Sequence, residues 1–410
     1  MRQYIDSGIE WIGKIPETWK VLPHKRIMRK LKEVCFKYDG EDIISLTTNG
    51  VLIRDLNAGG KMPTTFDGYQ YVYPGNLLMC LFDIDVTPRC VGLIKNVGLT
   101  SPAYSQFTFL SNDAYSPYYD YLLRYMDDEK CLLHLSKNLR SSLTEEDFGY
   151  ISTVLPPLYD QKRIADYLDS KCKEIDSLIE LQEQMIEKLK VYKQSVITEV
   201  VTKGLDPNAK LVPSGIDWIG DIPESWEVCR FKSHIHLINE KSIESSGVKV
   251  NLENIESKSG RYIPTDSKYE GDGTSFRKGD VLFGKLRPYL AKVLAPEFDG
   301  AAIGDIYVFR PTDRISTCFL KYMLLSDAFI SIVDSSTYGT KMPRANWEFI
   351  SCVPVVVPTQ DEQKVIASFL DEKCVEIDRL LDLKRQKIEK LKDYKKSVIY
   401  EAVTGKTIIE

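Results

Sequence analysis

Residues 161–202 read QKRIADYLDSKCKEIDSLIELQEQMIEKLKVYKQSVITEVVT, and residues 363–404 read QKVIASFLDEKCVEIDRLLDLKRQKIEKLKDYKKSVIYEAVT. The two align without a gap, with about 27 of 42 positions identical, so an internal repeat organises the chain. Neither copy contains Gly or Pro, and apolar residues recur on a four-three spacing. The stripe of the first copy runs Leu168, Cys172, Ile175, Ile179, Gln182, Ile186, Leu189, Lys193, Val196. That of the second runs Leu370, Cys374, Ile377, Leu381, Lys384, Ile388, Leu391, Lys395, Val398, with polar residues at the same slots. This period predicts two coiled-coil helices, and equivalent stripes on one chain predict that they pack on each other. Separate packing of each helix on its own domain is the competing arrangement. At 1.5 Å per residue each helix would be about 60 Å long, a rod and not a core element.

Outward from the helices, a second repeat appears. Ser7-Gly8-Ile9-Glu10-Trp11-Ile12-Gly13-Lys14-Ile15-Pro16-Glu17-Thr18-Trp19 returns as Ser214-Gly215-Ile216-Asp217-Trp218-Ile219-Gly220-Asp221-Ile222-Pro223-Glu224-Ser225-Trp226, and the two copies hold four of the five tryptophans. The regions between, about 20–158 and 227–360, show no comparable alignment. Pro156-Pro157 and Pro358 stop the preceding segments, and Gln161 and Asp361-Glu362-Gln363 are polar residues suited to helix N-termini. Gly204 and Asp206-Pro207-Asn208 end the first helix, and Gly405 to Glu410 read as a frayed tail.

The expected organisation is a short motif with a first variable domain (1–158), a long helix (159–204), a linker with the repeated motif (205–226), a second variable domain (227–360), a second long helix (361–404) and a tail (405–410). The fold class is α/β: two mixed α/β domains, each followed by a long helix, the helices forming an antiparallel coiled coil in a pseudo-twofold repeat. Within the variable domains, Tyr73–Met79 and Arg277–Phe283 read as turns feeding strands and Ile303–Phe309 as a strand, while Tyr118–Arg124 and Cys318–Leu325 read as helices.

The 410 residues allow two to four domains, and 43% hydrophobic with 28% charged residues is ordinary for a soluble chain. No apolar run approaches the roughly 18 residues of a membrane span, and Met1–Asp6 lacks a signal-peptide pattern, so a cytoplasmic location without a membrane partner is expected. Nine scattered cysteines, never spaced Cys-x-x-Cys, suggest reduced and mostly buried thiols. A net charge of -5 argues against indiscriminate nucleic-acid binding but leaves room for a locally basic surface.

Catalytic constellations are missing. His234 and His236 would share a strand face, but no Cys or paired carboxylate completes a metal site. Gly59-Gly60-Lys61 lacks phosphate-loop spacing. Leu155-Pro156-Pro157-Leu158 lacks the amide and aromatic of an amino-methyltransferase loop and reads as a strand-to-helix connector. No base neighbours the serines at 141–142 and 335–336.

What remains suits binding. Lys285, Arg287 and Tyr289 in one loop, and Tyr338, Thr340, Lys341 and Arg344 in another, combine cations, aromatics and tight turns as a surface facing phosphates and base edges would. In the first half, Lys137, Arg140, Ser141 and Ser142 occupy the matching place, and Thr47-Thr48-Asn49 is a further polar loop.

The arrangement resembles the specificity subunit of type I restriction-modification systems over essentially the whole chain. The marks are the doubled Ser-Gly-Ile-acid-Trp-Ile-Gly segment and the doubled entry into each helix: Pro156-Pro157 with Gln161, Ile164 and Leu168-Asp169, and Pro358 with Gln363, Ile366 and Leu370-Asp371. Lys278–Phe283 followed by Lys285-Leu286-Arg287-Pro288 also looks like that family's second recognition domain. The resemblance implies two target-recognition domains, each reading half of a split double-stranded DNA site. It implies that the helices act as spacer and as docking surface for two modification subunits and, through them, restriction subunits. The chain would perform no chemistry itself, as the non-catalytic part of a site-specific deoxyribonuclease and adenine DNA methyltransferase. S-adenosylmethionine, Mg2+ and ATP would belong to the partners, with no cofactor on this chain. Two other readings compete: a self-sufficient nuclease or methyltransferase, which the missing motifs oppose, and a coiled-coil protein scaffold, which leaves two unlike variable regions unexplained.

Overall fold

The computed structural model describes residues 3–57, 63–87, 89–133, 141–241, 248–265, 273–337 and 342–409. Its helices are α1 (Ser116–Asp128), α2 (Glu145–Tyr150), α3 (Leu158–Lys203), α4 (Thr317–Leu325), α5 (Asp327–Ser335), α6 (Trp347–Cys352) and α7 (Gln360–Val403). The chain forms two compact units: residues up to Leu181 with those from Lys387 onward, and Gln182–Gln386. Both long helices therefore contribute to both units.

In the first unit an antiparallel sheet has the spatial order Met28–Leu31, Ser105–Phe109, Leu77–Met79, Val91–Leu93. The second unit builds the same order from Ile235–Ile238, Ile306–Pro311, Val281–Gly284 and Val293–Leu294. Each unit also closes with a two-stranded pair, Lys20–Pro23 with Ser152–Leu155 and Glu227–Arg230 with Pro354–Val357. The variable regions thus share a plan that their sequences do not align on. Strands of two to six residues need only an apolar inner face, which many sequences supply. The expected strands and helices in these regions fall on Leu77–Met79, Val281–Gly284, Ile306–Pro311, α1 and α4.

The long helices pack together, running antiparallel within each unit. In the first, Lys395 Nζ donates to both Asp176 oxygens at 2.7 Å, and Cys172 shares a core with Val398, Ile399 and Ala402. In the second, Lys193 Nζ meets the Asp378 oxygens at 2.8 and 2.9 Å, and Lys384 Nζ donates to Gln182 Oε1 at 3.1 Å. The polar slots of the stripe are therefore occupied by matched partners, as register-fixing positions of coiled coils are. The apolar stripe residues, Leu168, Cys172, Ile175, Ile179, Ile186, Leu189, Val196, Leu370, Cys374, Ile377, Leu381, Ile388, Leu391 and Val398, are all buried or half-buried.

Gln161 and Gln363 lie in the first turns of α3 and α7, as expected, and both are fully buried. Gln161 Oε1 accepts from the Tyr115 N–H (2.7 Å), and its Nε2 donates to the Asp113 (2.7 Å) and Pro156 (2.8 Å) carbonyls. Gln363 repeats the clamp on the Ser316 N–H (2.7 Å) and the Arg314 and Pro358 carbonyls (both 2.9 Å). One reading of the helix ends needs correction: the tail is not frayed at Gly405–Ile409. Gly405 adopts φ 71°, a Cβ there would lie 2.7 Å from Pro16 and 2.8 Å from Trp19, and Arg163 donates to the Ile409 carbonyl. The repeated motif is the seat for this helix end: Ile12, Ile15 and Trp19 are buried, as are Ile219, Ile222 and Trp226 in the second copy. The second tryptophan of each copy ties back to a helix start, Trp19 Nε1 to Asp160 and Trp226 Nε1 to Glu362, both at 3.2 Å.

The offset of 207 residues that aligns the motifs places Phe231 opposite His24. Both are fully buried, and His24 stacks on Phe148 at 4.4 Å between ring centroids. Burial, partly countered by contacts with the Ile151 and Phe148 backbone, pushes the His24 imidazole down from 6.5 to about 4. His24 is therefore neutral when folded, while the unfolded chain takes up the proton first as pH falls. Stability contributed by this site is full above pH 6.5 and lost progressively down to about pH 4, with a total of about 3 kcal/mol at 1.36 kcal/mol per unit. His24→Phe, which copies the second unit, should flatten that part of the pH profile while leaving stability near pH 7.5 little changed. Urea unfolding between pH 4 and 7.5 checks this; an unchanged slope would refute it.

Candidate nucleic-acid interface

In the second unit, residues 285–287 and 343–345 form a short antiparallel ribbon. Arg287 N–H donates to the Pro343 carbonyl and Ala345 N–H to the Lys285 carbonyl, both at 2.8 Å, with Leu286 and Arg344 as bridge partners. Lys285 N–H also reaches the Asp305 carbonyl at 2.9 Å, anchoring the ribbon to the end of the central sheet. Arg287 (φ 53°) and Ala291 (φ 44°) flank the turn Pro288–Leu290 in left-handed conformations unusual for residues with a side chain. Strain of this kind collects where a loop is held in one shape for a ligand. Lys292 supports the turn from within, its ammonium donating to the Leu252 (2.6 Å) and Ile255 (2.7 Å) carbonyls while burial lowers its pKa.

The structure brings Lys285, Arg287 and Arg344 together on this ribbon. Arg287 and Arg344 are exposed, whereas Lys285 is half-buried against the Tyr307 ring. Tyr289 instead lines a groove of about 440 Å³ with Lys193, Gln194, Arg261, Asp378 and Arg385. There Arg261 Nη2 donates to Asp378 Oδ2 at 2.6 Å, joining the Lys193 pair. Tyr338, Thr340 and Lys341 lie outside the described residues.

In the first unit, Thr47 closes a hairpin turn: its Oγ1 donates to the Gly50 carbonyl (2.9 Å) and accepts from the Asn49 N–H (3.1 Å). Thr48 and Asn49 are exposed on the rim of a polar groove of about 630 Å³ whose walls include Arg89, Lys95, Arg124 and Lys395. Burial and the neighbouring Arg124 lower the Arg89 pKa, and burial raises that of Asp120 despite its contact with Arg124. Carboxylates share these walls: Arg124 pairs with Asp120 at 3.4 Å, Lys395 with Asp176 at 2.7 Å, and Asp169 also lines the groove. Ser141 (φ 43°) and Ser142 are half-buried and not among the groove walls, and the Ser141 carbonyl accepts from the Ile84 N–H at 3.2 Å. Lys137 and Arg140 lie outside the described residues. Sequence reasoning missed Arg89, Lys95, Arg124, Arg261 and Asp305: Arg124 and Asp305 lie in segments read only as a helix and a strand, and the others are single charges without a pattern to mark them.

Among the described residues no group of three or more His, Cys, Asp or Glu is placed to hold a metal ion. No helix of the described residues is long and apolar enough to cross a membrane.

Residues 223–393 match the family described as the type I restriction modification DNA specificity domain. Across nearly the full length, the chain is 27% identical to a putative type I restriction enzyme MjaX specificity subunit of Methanocaldococcus jannaschii, covering 96% of this chain and 95% of that protein. The chain is similar to the specificity subunits of type I restriction-modification systems over nearly its whole length. Matches to the MjaVIII specificity subunit of the same organism (27% identical) and the EcoDI specificity subunit of Escherichia coli (25%) span 63% of this chain and 63% of each relative. A chain solved in work on complex assembly and conformational transition of the type I R-M system shares the fold at a TM-score of 0.71 and 15% identity, the match covering 96% of the present chain and 99% of that one. The HsdS subunit from Thermoanaerobacter tengcongensis does so at 0.56 and 14%, covering 96% and 98%. At such identities the structural likeness speaks for the fold alone.

Proposed function

We propose that this subunit directs a type I restriction-modification complex to a split, asymmetric double-stranded DNA site, each unit reading one half, while catalysing no reaction itself. The observation that carries the proposal is a repeated scaffold bearing two unlike surfaces. The sheets share one strand order, yet one unit presents the ribbon of Arg287 and Arg344 and the other the groove rimmed by Thr48 and Asn49. Two unlike readers on one frame suit an asymmetric site, because each domain engages its own base pairs. The long helices would dock two modification subunits and, through them, restriction subunits. S-adenosylmethionine, Mg2+ and ATP would be held by those partners.

The test is to co-express the chain with its neighbouring modification subunit in a methylation-free host and map methylated adenines. A motif with two short defined halves and a fixed gap is expected. Exchanging residues 227–360 for another recognition region should then rewrite one half and leave the other. Unmethylated DNA from an assembled complex would point to a coiled-coil scaffold, and a motif altered in both halves would overturn the one-unit, one-half assignment.

A further inference from the structure

Two of the three cations on the second unit's ribbon meet one carboxylate. Asp305 Oδ2 accepts from Arg344 Nη2 at 2.9 Å and Nε at 3.3 Å, and Asp305 Oδ1 lies 3.6 Å from Lys285 Nζ. Asp305 is fixed by its own carbonyl, which accepts from the Lys285 N–H, and its side chain is 24% exposed against 58% for Arg344. The carboxylate thus occupies the inner edge of an exposed guanidinium and leaves the outer N–H groups of the fork for a ligand. The paired backbone on both sides, Arg287 to Pro343 and Ala345 to Lys285, holds the base of that side chain in place.

We propose that Asp305 is a positioning residue that presents Arg344 to a guanine in the half-site of the second unit. The inference rests on the DNA-reading function proposed above. Charge decides between base and phosphate as the target. A guanidinium already paired with a carboxylate gains little from a phosphate, because the nearby Asp305 repels it. The paired fork keeps its donor geometry, however, and guanine alone offers two adjacent acceptors on its major-groove edge. Fixing the side chain beforehand also removes most of the rotamer entropy that binding would otherwise cost. Arg287 is also exposed, and among the described residues no carboxylate is paired with it; it takes the phosphate contact.

The test uses the full chain assembled with its modification subunit, acting on genomic DNA from a methylation-free host. One half of the wild-type motif should contain a G·C pair that Arg344→Lys relaxes by about tenfold or more, since an ammonium cannot make the bidentate contact. Asp305→Asn should relax that same pair and no other, whereas Asp305→Glu should retain most of the preference. Arg287→Gln should slow methylation at every occurrence without altering the motif, a readout that a merely structural role would not give. Because Arg344 is exposed, Arg344→Lys tests the idea even where an Asp305 variant folds poorly. An unchanged motif with Arg344→Lys, or relaxation spread evenly over the half-site, overturns the proposal. A wild-type complex that methylates without a split motif overturns the underlying function as well.

Discussion

Gln161→Leu is expected to destabilise the first unit by about 4 kcal/mol, and Gln363→Leu the second by a similar amount. Leucine nearly matches glutamine in volume, so packing changes little, but each substitution strips partners from one N–H and two carbonyls around a fully buried side chain, the Pro156 and Pro358 carbonyls lying deepest. Each such orphan costs about 1–3 kcal/mol, less whatever a rearranged loop or an admitted water recovers. Since the clamps tie the segments at 113–115 and 314–316 to the starts of α3 and α7, the loss should appear first as loosening there. Urea unfolding by tryptophan fluorescence measures the total, and hydrogen exchange at Tyr115 and Ser316 locates it. A loss below about 1 kcal/mol in both variants would mean that water replaces the amide and that the clamp is not structural.

These glutamines also mark where the sequence was legible and where it was not. The long helices announce themselves through a period sustained over 42 gapless residues, which few alternatives can imitate. Their packing followed, because Gln182 with Lys384, and Lys193 and Lys395 with their aspartates, interrupt both stripes at the same slots. A buried polar residue, by contrast, looks in sequence like any helix-opening one; only its identity in both copies, Gln161 and Gln363, hinted at a second role. The docked tail was hidden for a related reason. Gly405–Ile409 carries no pattern of its own and is held by contacts with Pro16, Trp19 and Arg163, hundreds of residues away in sequence.

The recognition surface was half legible. Lys285, Arg287 and Arg344 stood out as cations beside turns, and the structure gathers them on one ribbon. Asp305, which sorts them by charge, is 39 residues from Arg344 and belongs to a stretch read only as a strand. The common sheet plan of the two units was invisible, because its strands carry too few residues for alignment and their inner positions accept any apolar side chain. His24 opposite Phe231 shows how far matching places diverge chemically while keeping one shape.

A comparable divergence yields the other large effect, at the turn entering the central strand of each sheet. In the first unit Asn76 Nδ2 donates to Gln106 Oε1 at 2.9 Å, a neutral pair with both residues buried. In the second, the fully buried Asp280 accepts from Arg310 Nε and Nη2 at 2.7 and 2.8 Å and from the Arg277 N–H at 2.9 Å. Arg310→Met should cost about 3–5 kcal/mol, because it leaves a buried carboxylate with a single backbone donor and no counter-charge. Most of that loss is the isolated charge and not the worth of the ion pair, so removing both charges should restore stability. The double variant Asp280→Asn with Arg310→Gln, which replaces the ion pair by a neutral amide pair and keeps an acceptor for the Arg277 N–H, is expected to recover more than half of it. Urea unfolding of the single and double variants gives the coupling energy directly. If the double variant is as unstable as Arg310→Met, the arginine acts through packing of its stem over the sheet and not through its charge.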